Sequence, residues 1–440
     1  SETAIKDLAN SINLSVFSLP STDQVVHKLR IGRNAGWLLG ARLGQQAILL
    51  LFTALVARQL GEAGLGQFAW VTAVLYLGNV FSTFGLDTVL LRQIGAARRT
   101  DTIPLVAALI LQLLFALIFI LFLWLLPFAG QSGETVTGVR LYGWSLLPLA
   151  WLTLTSAALR GYEQMGWLAV LTLGTAVLQL GGTAVLLGAG GGFIGLMGWL
   201  LAVQAVAAGA SWQLCRWLLP NFSLNWQFLR RVQVLQMART GFWLALLLGT
   251  AVLLQRWGIF LVGRLGTEAQ TGQLAAALRL VEAARLLPGA VMGALFPVLA
   301  REKLGAGAWR QKISSRQSPL SGYRWGLVAY GTAAAVGLWL LARPLVGLLF
   351  GADYETAASL LPLLAWGVVP FTISLPVSVE LVVAGREKRV LAATFLVLMA
   401  TAVFTTAAFV SHGLPGVVAG LVIGEGLLAV ALLAARQYTR

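Results

Sequence analysis

Charge is what this sequence has least of. Only 11% of its 440 residues are charged and 58% are hydrophobic, against about a quarter charged in a typical soluble domain. That balance excludes an ordinary soluble fold. Cysteine is nearly absent too: Cys215 stands alone, which rules out an intramolecular disulfide or a cysteine-based metal cluster, and it reads as a small buried apolar residue in a helix. The two histidines, His27 and His412, fall outside the apolar stretches, so neither suggests a proton relay. No GK[ST] follows the glycine-rich stretch Gly188 to Gly192, which is expected to be a tight turn and not a phosphate cradle, and the chain is expected to be no ATPase. The net charge is +15, but the basic residues form neither a stripe nor a reading motif, so nucleic acid is not an expected partner.

What is present is a series of long apolar runs. They fall at roughly 35–57, 66–90, 103–128, 138–159, 166–188, 193–217, 240–263, 271–298, 322–342, 356–382, 390–411 and 415–435, and about 20 apolar residues suffice to cross a bilayer. The expectation is an all-α integral membrane protein of about 12 transmembrane helices. Lys and Arg divide unequally between the connecting segments: twenty-three lie on the side of the termini, and only Arg58, Arg140, Arg264 and Arg343 lie opposite. Cytosolic loops carry the excess of basic residues, so both termini are expected in the cytosol, with the chain in the cytoplasmic membrane. Residues 1–30 lack the continuous apolar core of a secretory signal and read as a cytosolic tail. The basic segments near 219–239 and 299–321 are expected to rest on anionic lipids of the inner leaflet. No opposite-side loop is long enough for a domain, the longest running from about Gly130 to Gly138, which argues against an enzyme working on that face.

The remaining four basic residues, Arg42, Arg256, Arg279 and Arg285, lie inside spans. A charge at bilayer depth costs a few kcal/mol and normally faces protein or a water-filled cavity. Arg279, Glu282 and Arg285 are spaced i, i+3, i+6, which places them within about a third of the helix circumference. A cavity lined with positive charge follows, with Glu282 pairing Arg279 or Arg285. The alternative for Arg256 is to snorkel to the interface beside Trp257. Glu425 is either a cation or proton site or a helix-to-helix hydrogen bond. Asp87 and Glu380, near span ends, are expected at the interface, with Trp70, Tyr142, Trp144 and Tyr330 as belt residues. No metal site and no cofactor are indicated, and coupling to H+ or Na+ stays open.

The chain also repeats itself. Leu60 to Ala69 (LGEAGLGQFA) recurs as Leu265 to Ala275 (LGTEAQTGQLA); Leu91 to Gly95 recurs as Ala300 to Gly305; and Gly161 to Gln164 matches Gly385 to Lys388. Three ordered matches imply two six-helix lobes of like orientation, related by an axis along the membrane normal. The divisions are a tail at 1–30, a lobe at 31–218, a basic linker at 219–239 and a second lobe at 240–440. Glycines recur every four residues at Gly32, Gly36, Gly40 and Gly44, and again at Gly416, Gly420 and Gly424, as stripes that admit another helix closely.

The segments VARQLGEAGLGQFAWV and FGLDTVLLRQI, then VGRLGTEAQTGQLAAALRLVEAARLLPGAVMGALFPVLAR, and finally LLFGADYETAASLLPLLAW, resemble the Wzx-like polysaccharide flippases. That family belongs to the superfamily of multidrug exporters and peptidoglycan-precursor flippases. The resemblance spans about residues 33–436 and implies two six-helix lobes, a central cavity and alternating access. The implied cargo is an undecaprenyl-diphosphate-linked oligosaccharide of O-antigen, capsule or exopolysaccharide. Among cavity-facing basic residues, Arg42, Arg256, Arg279 and Arg285 qualify to hold the diphosphate, since arginine meets phosphate oxygens in a two-pronged geometry. A glycan polymerase and glycosyltransferases would be partners. Peptidoglycan-precursor flippase, multidrug exporter and membrane glycan polymerase or ligase are the other readings, in that order.

Overall fold

The computed structural model describes residues 22–87, 89–90, 94, 105–128, 130–219, 222, 231–304 and 321–437. The first copy of the second sequence repeat apart from Ile94, most of the tail, about half of the basic segment 219–239 and most of the segment 299–321 therefore lie outside the described residues. The described residues contain no strand. Their helices are α1 (Thr22–Thr83), α2 (Leu105–Leu125), α3 (Gly133–Gly143), α4 (Leu146–Gly161), α5 (Met165–Gly188), α6 (Phe193–Leu218), α7 (Arg231–Leu265), α8 (Glu268–Leu304), α9 (Ser321–Leu340), α10 (Ala342–Leu349), α11 (Glu355–Ala365), α12 (Val368–Val383) and α13 (Glu387–Gln437), with a 3-10 turn at Ala352–Tyr354. By length and composition six are fit to cross a membrane, or eight if the bent pairs α9–α10 and α11–α12 each count as one. The chain is an all-α membrane protein whose helices pair off with the expected spans, α1–α6 forming an N-terminal lobe and α7–α13 a C-terminal one. The reason is visible in α2: its 21 residues carry no charge, and at about 1.5 Å per residue they match a hydrocarbon core of about 30 Å. Leu117, Leu121 and Leu125 on its outer face are exposed, as lipid contact requires.

Several boundaries differ from the sequence expectation. The first two spans are one helix broken at Gly61 alone, where φ is 69°, and the last two are one helix broken at Gly413, with φ 62°. Positive φ suits glycine, so a single residue does the work of a loop. Conversely, the fourth and tenth spans are each interrupted at a tryptophan. Trp144 N–H donates to Leu141 O and Trp366 N–H to Leu363 O, both at 3.3 Å, ending α3 and α11 before α4 and α12 begin. The following turns correspond as well. Gln164 N–H donates to Leu159 O and Arg386 N–H to Leu381 O, both at 2.9 Å, around left-handed Glu163 and Gly385. The repeat is thus real in the backbone, but its register pairs Glu163 with Gly385, two residues from the match read in the sequence.

At the end of the bundle that contains Gly61, one apolar cluster joins the lobes, running from Phe52, Leu65, Val139 and Leu196 to Ile259, Leu274, Tyr354 and Val417. At the opposite end the clusters are separate. One, around Leu86, Leu105, Leu154 and buried Cys215, belongs to the N-terminal lobe except for Met237, and two smaller ones belong to the C-terminal lobe.

The Gly61 end is also closed by polar contacts across the lobes. A Cβ on Gly66 would collide with the Glu268 carbonyl, and one on Gly272 with the Glu62 carbonyl, so α1 and α8 touch backbone to backbone where the two repeat copies meet. Glu268 accepts from Ser132 Oγ at 2.5 Å, Thr135 Oγ1 at 2.7 Å and Gln67 Nε2 at 3.0 Å. Arg58 donates to the last carbonyls of α10, at Leu348 and Leu349, and Tyr354 Oη donates to Ala57 O at 3.3 Å. Gln131 donates to Gly263 O.

Other expectations are corrected here. The Gly36 and Gly40 positions have open space and not a partner helix, while Gly44 is close to one, at Leu173. Gly416, Gly420 and Gly424 do pack, against Ala408, Thr405 and Thr401 of the other arm of α13. Glu380 is buried and paired with Arg436 at 3.2 Å, so it is not interfacial. Trp70 is buried, its ring edge-on to Phe128, and Tyr330 donates to Ala284 O at 2.8 Å, so neither belongs to an interface belt.

Candidate functional site

Between the lobes lies a cavity of about 430 Å³, walled by both arms of α1, by α3 to α6, and by α7 and α8. Arg256 and Arg279 both reach it, and both hold Glu282. Arg256 Nη1 lies 2.6 Å from Glu282 Oε1, and Arg279 Nη1 lies 2.7 Å from Oε2. Arg279 and Glu282 are i, i+3 on α8, so they share a face, while Arg256 arrives from α7. Two guanidiniums on one carboxylate leave one positive charge in excess. Arg256 also covers the ring of Tyr76, 4.9 Å away, an arrangement that stabilises a cation by the ring's negative face. Arg256 therefore turns inward and does not snorkel with Trp257, whose Nε1 is instead held by Thr405 Oγ1 at 2.9 Å.

Arg285 is not brought to this cavity. Six residues on from Arg279 is about 120° around the helix, enough to aim it at α12 and α13. There it meets Glu425 at 2.8 Å, Gly367 O at 3.4 Å and the Phe371 ring at 4.8 Å. The cleft around this pair is only about 40 Å³ and includes Thr401 and Gln255. Of the two partners considered for Glu282 from the sequence, Arg279 is the one it holds, and Arg256 takes the place of Arg285. Arg42 does not line the cavity either: it is exposed, with Nη1 beside Gly293 of α8.

The cavity also contains residues that a search for charges overlooks. Gln45, Asn79, Gln179 and Gln204 bring side-chain amides to it, and Tyr76 and Tyr142 bring rings. Tyr142 was expected in an interface belt. The usable signal was an amide inside an apolar run, as at Gln179 and Gln204.

Long apolar helices in two lobes around a charged cavity define, among the described residues, a multi-pass membrane fold. Solved structures share it. One is a multidrug resistance MATE family transporter of the MOP superfamily in an inward-facing conformation, at TM-score 0.71 and 17% identity over 92% of this chain and 98% of that one. Another is the lipid II flippase MurJ in an inward closed conformation, at 0.69 and 15% over 90% and 87%. A third is a MOP superfamily transporter from Pyrococcus furiosus, at 0.67 and 16% over 93% and 95%. These likenesses are of fold. A family model described as polysaccharide biosynthesis protein matches residues 31–303, and the chain belongs to that family. No curated protein matches the sequence.

Proposed function

We propose that this chain is a flippase that moves an undecaprenyl-diphosphate-linked oligosaccharide across the cytoplasmic membrane by alternating access, making and breaking no bonds. The observation that carries the reading is the cavity's excess positive charge, Arg256 and Arg279 around the single carboxylate of Glu282. A diphosphate offers oxygens to both guanidiniums in charge-assisted hydrogen bonds, and its charge offsets their burial. Membership of the polysaccharide biosynthesis family supports a glycan on that diphosphate. The two lobes, residues 31–218 and 240–440, move against one another about the basic linker 219–239, with both termini cytosolic. The Gly61 end then faces outward and is the closed side. Arg42, exposed at the seam of α1 and α8, meets the headgroup as it approaches, while Arg285 stays committed to Glu425. The work comes from an ion gradient, the membrane potential or consumption of the product outside.

The test is flipping of a fluorescent undecaprenyl-diphosphate oligosaccharide in proteoliposomes. The wild type flips it, and Arg256→Ala and Arg279→Ala slow it roughly tenfold or more, since a hydrogen bond to a charged group is worth about 1.5–3 kcal/mol. Unchanged rates in both variants and in their combination would remove the diphosphate from this cavity. No wild-type flipping of several glycans, with export of a cationic drug instead, would replace the reading by drug export.

A further inference from the structure

The two lobes bring unlike chemistry to the cavity. Every charged side chain on its wall, Arg256, Arg279 and Glu282, comes from α7 and α8 of the C-terminal lobe. Among the described lining residues the N-terminal lobe brings none, and offers instead the amides of Gln45, Asn79, Gln179 and Gln204 with the phenols of Tyr76 and Tyr142. One of these groups is incomplete: Asn79 Oδ1 is buried and has no hydrogen-bond partner. Its backbone carbonyl is already engaged by Ser82 and Thr83 hydroxyls. A buried acceptor without a donor is costly, and a donor on a ligand would complete it. A cavity of about 430 Å³ lies in the range that encloses a drug-sized ligand, which is a diphosphate with the first sugar or two and not a whole oligosaccharide.

We propose that the N-terminal wall is a subsite for the sugar next to the diphosphate, and that it takes a neutral sugar bearing hydroxyl and N-acyl groups in preference to a uronic acid. This rests on the reading of Arg256 and Arg279 as the diphosphate site. Side-chain amides both donate and accept, as hydroxyl and acetamido groups do. A carboxylate on that sugar would find no cation on the wall, since both guanidiniums are taken by Glu282 and the diphosphate. Discrimination of this kind is strong because the wrong ligand leaves buried polar groups unpaired. Tyr76, under Arg256, marks the junction between the two halves.

The experiment is equilibrium binding to the full chain in nanodiscs of three lipids: undecaprenyl diphosphate without sugar, with N-acetylglucosamine, and with glucuronic acid. The wild type is expected to bind the N-acetylglucosamine lipid about tenfold more tightly than the other two. Asn79→Leu and Gln204→Leu, each checked to be folded, are expected to reduce that advantage about 3- to 10-fold, as loss of a hydrogen bond or two would, and to leave the sugar-free lipid unchanged. Arg256→Ala weakens all three. Equal wild-type affinity for the three lipids overturns the sugar subsite alone, and so do variants that weaken the sugar-free lipid as much as the N-acetylglucosamine one. No wild-type binding of any of the three overturns the subsite together with the diphosphate site.

Discussion

Two arginine–carboxylate clusters flank one helix, α8, and they are built differently. On one side Arg256 and Arg279 share Glu282 in a cavity of about 430 Å³. On the other, Arg285 has Glu425 to itself in a cleft about a tenth that size. A balanced pair in a tight cleft has no room for a ligand and its charge is spent, so it holds α8 to α13. A cluster with a surplus cation beside open space is unfinished, and an anion finishes it. The chemistry of the residues is the same; stoichiometry and space separate binding from structure.

The balanced pair gives the largest expected effect on stability. Both side chains are mostly buried, at 20% and 16% exposure, and removing one member of such a pair leaves an uncompensated charge. Glu425→Ala should therefore cost about 3 kcal/mol, read from unfolding in mixed micelles. Arg285→Met with Glu425→Leu should recover most of it, because a well-packed apolar pair can equal a buried ionic one. A double variant no more stable than the single would show that the pair does more than join helices.

The cavity cluster should invert that pattern. Arg256→Ala leaves Glu282 with Arg279, so stability falls by only about 1 kcal/mol, while affinity for a lipid diphosphate falls about 10- to 100-fold. Removing both arginines strands Glu282 and should bring the stability cost up to that of Glu425→Ala, about 3 kcal/mol. If Arg256→Ala alone destabilises as much as Glu425→Ala, the two clusters are alike and the distinction fails.

A third change should leave both clusters intact. Gly272→Ala places a methyl against the Glu62 carbonyl, and overpacking of this sort costs about 1–3 kcal/mol. The strain falls on the joint between the lobes at the Gly61 end and not on either ion cluster. Spin labels at exposed Glu134 and Leu348 should report a wider distance distribution than in wild type, with lipid-diphosphate affinity changed less than by Arg256→Ala. An unaltered distribution would mean that the joint does not depend on that backbone approach.

The sequence revealed charge at depth but not its partners. Helix periodicity correctly put Arg279 and Glu282 on one face, yet the same 100° step leaves Arg285 about 120° from Arg279, and whether that reaches the same neighbour depends on helices far away in the chain. Glu425 and Arg256 had no local signal tying them to α8. The glycine stripes show the same limit: identical spacing packs in α13 and stands open in α1, because spacing permits close approach without supplying a partner. The break at Trp366 was hidden inside a nearly uniform apolar run, where hydropathy has no contrast, and the corresponding break at Trp144 lies within a predominantly apolar one. The repeat, by contrast, was readable because Gly66 and Gly272 sit where no Cβ fits, and the same need recurs in both lobes.

Arg42 should give the smallest effect and a different kind. It is exposed and outside the cavity, at the seam where α1 passes Gly293 of α8. A rim charge alters capture more than residence: it changes the association rate and its salt dependence, whereas a buried contact changes dissociation. Arg42→Ala should therefore slow association of a lipid diphosphate about two- to fivefold at low salt, with the difference fading as ionic strength rises past about 0.15 M. Stability should shift by less than about 0.5 kcal/mol, as for most surface substitutions. Stopped-flow binding to the nanodisc-held chain separates the two rates. A variant that instead accelerates dissociation, at any salt, would place Arg42 in contact with the bound headgroup and make the diphosphate site a three-arginine one spanning both lobes.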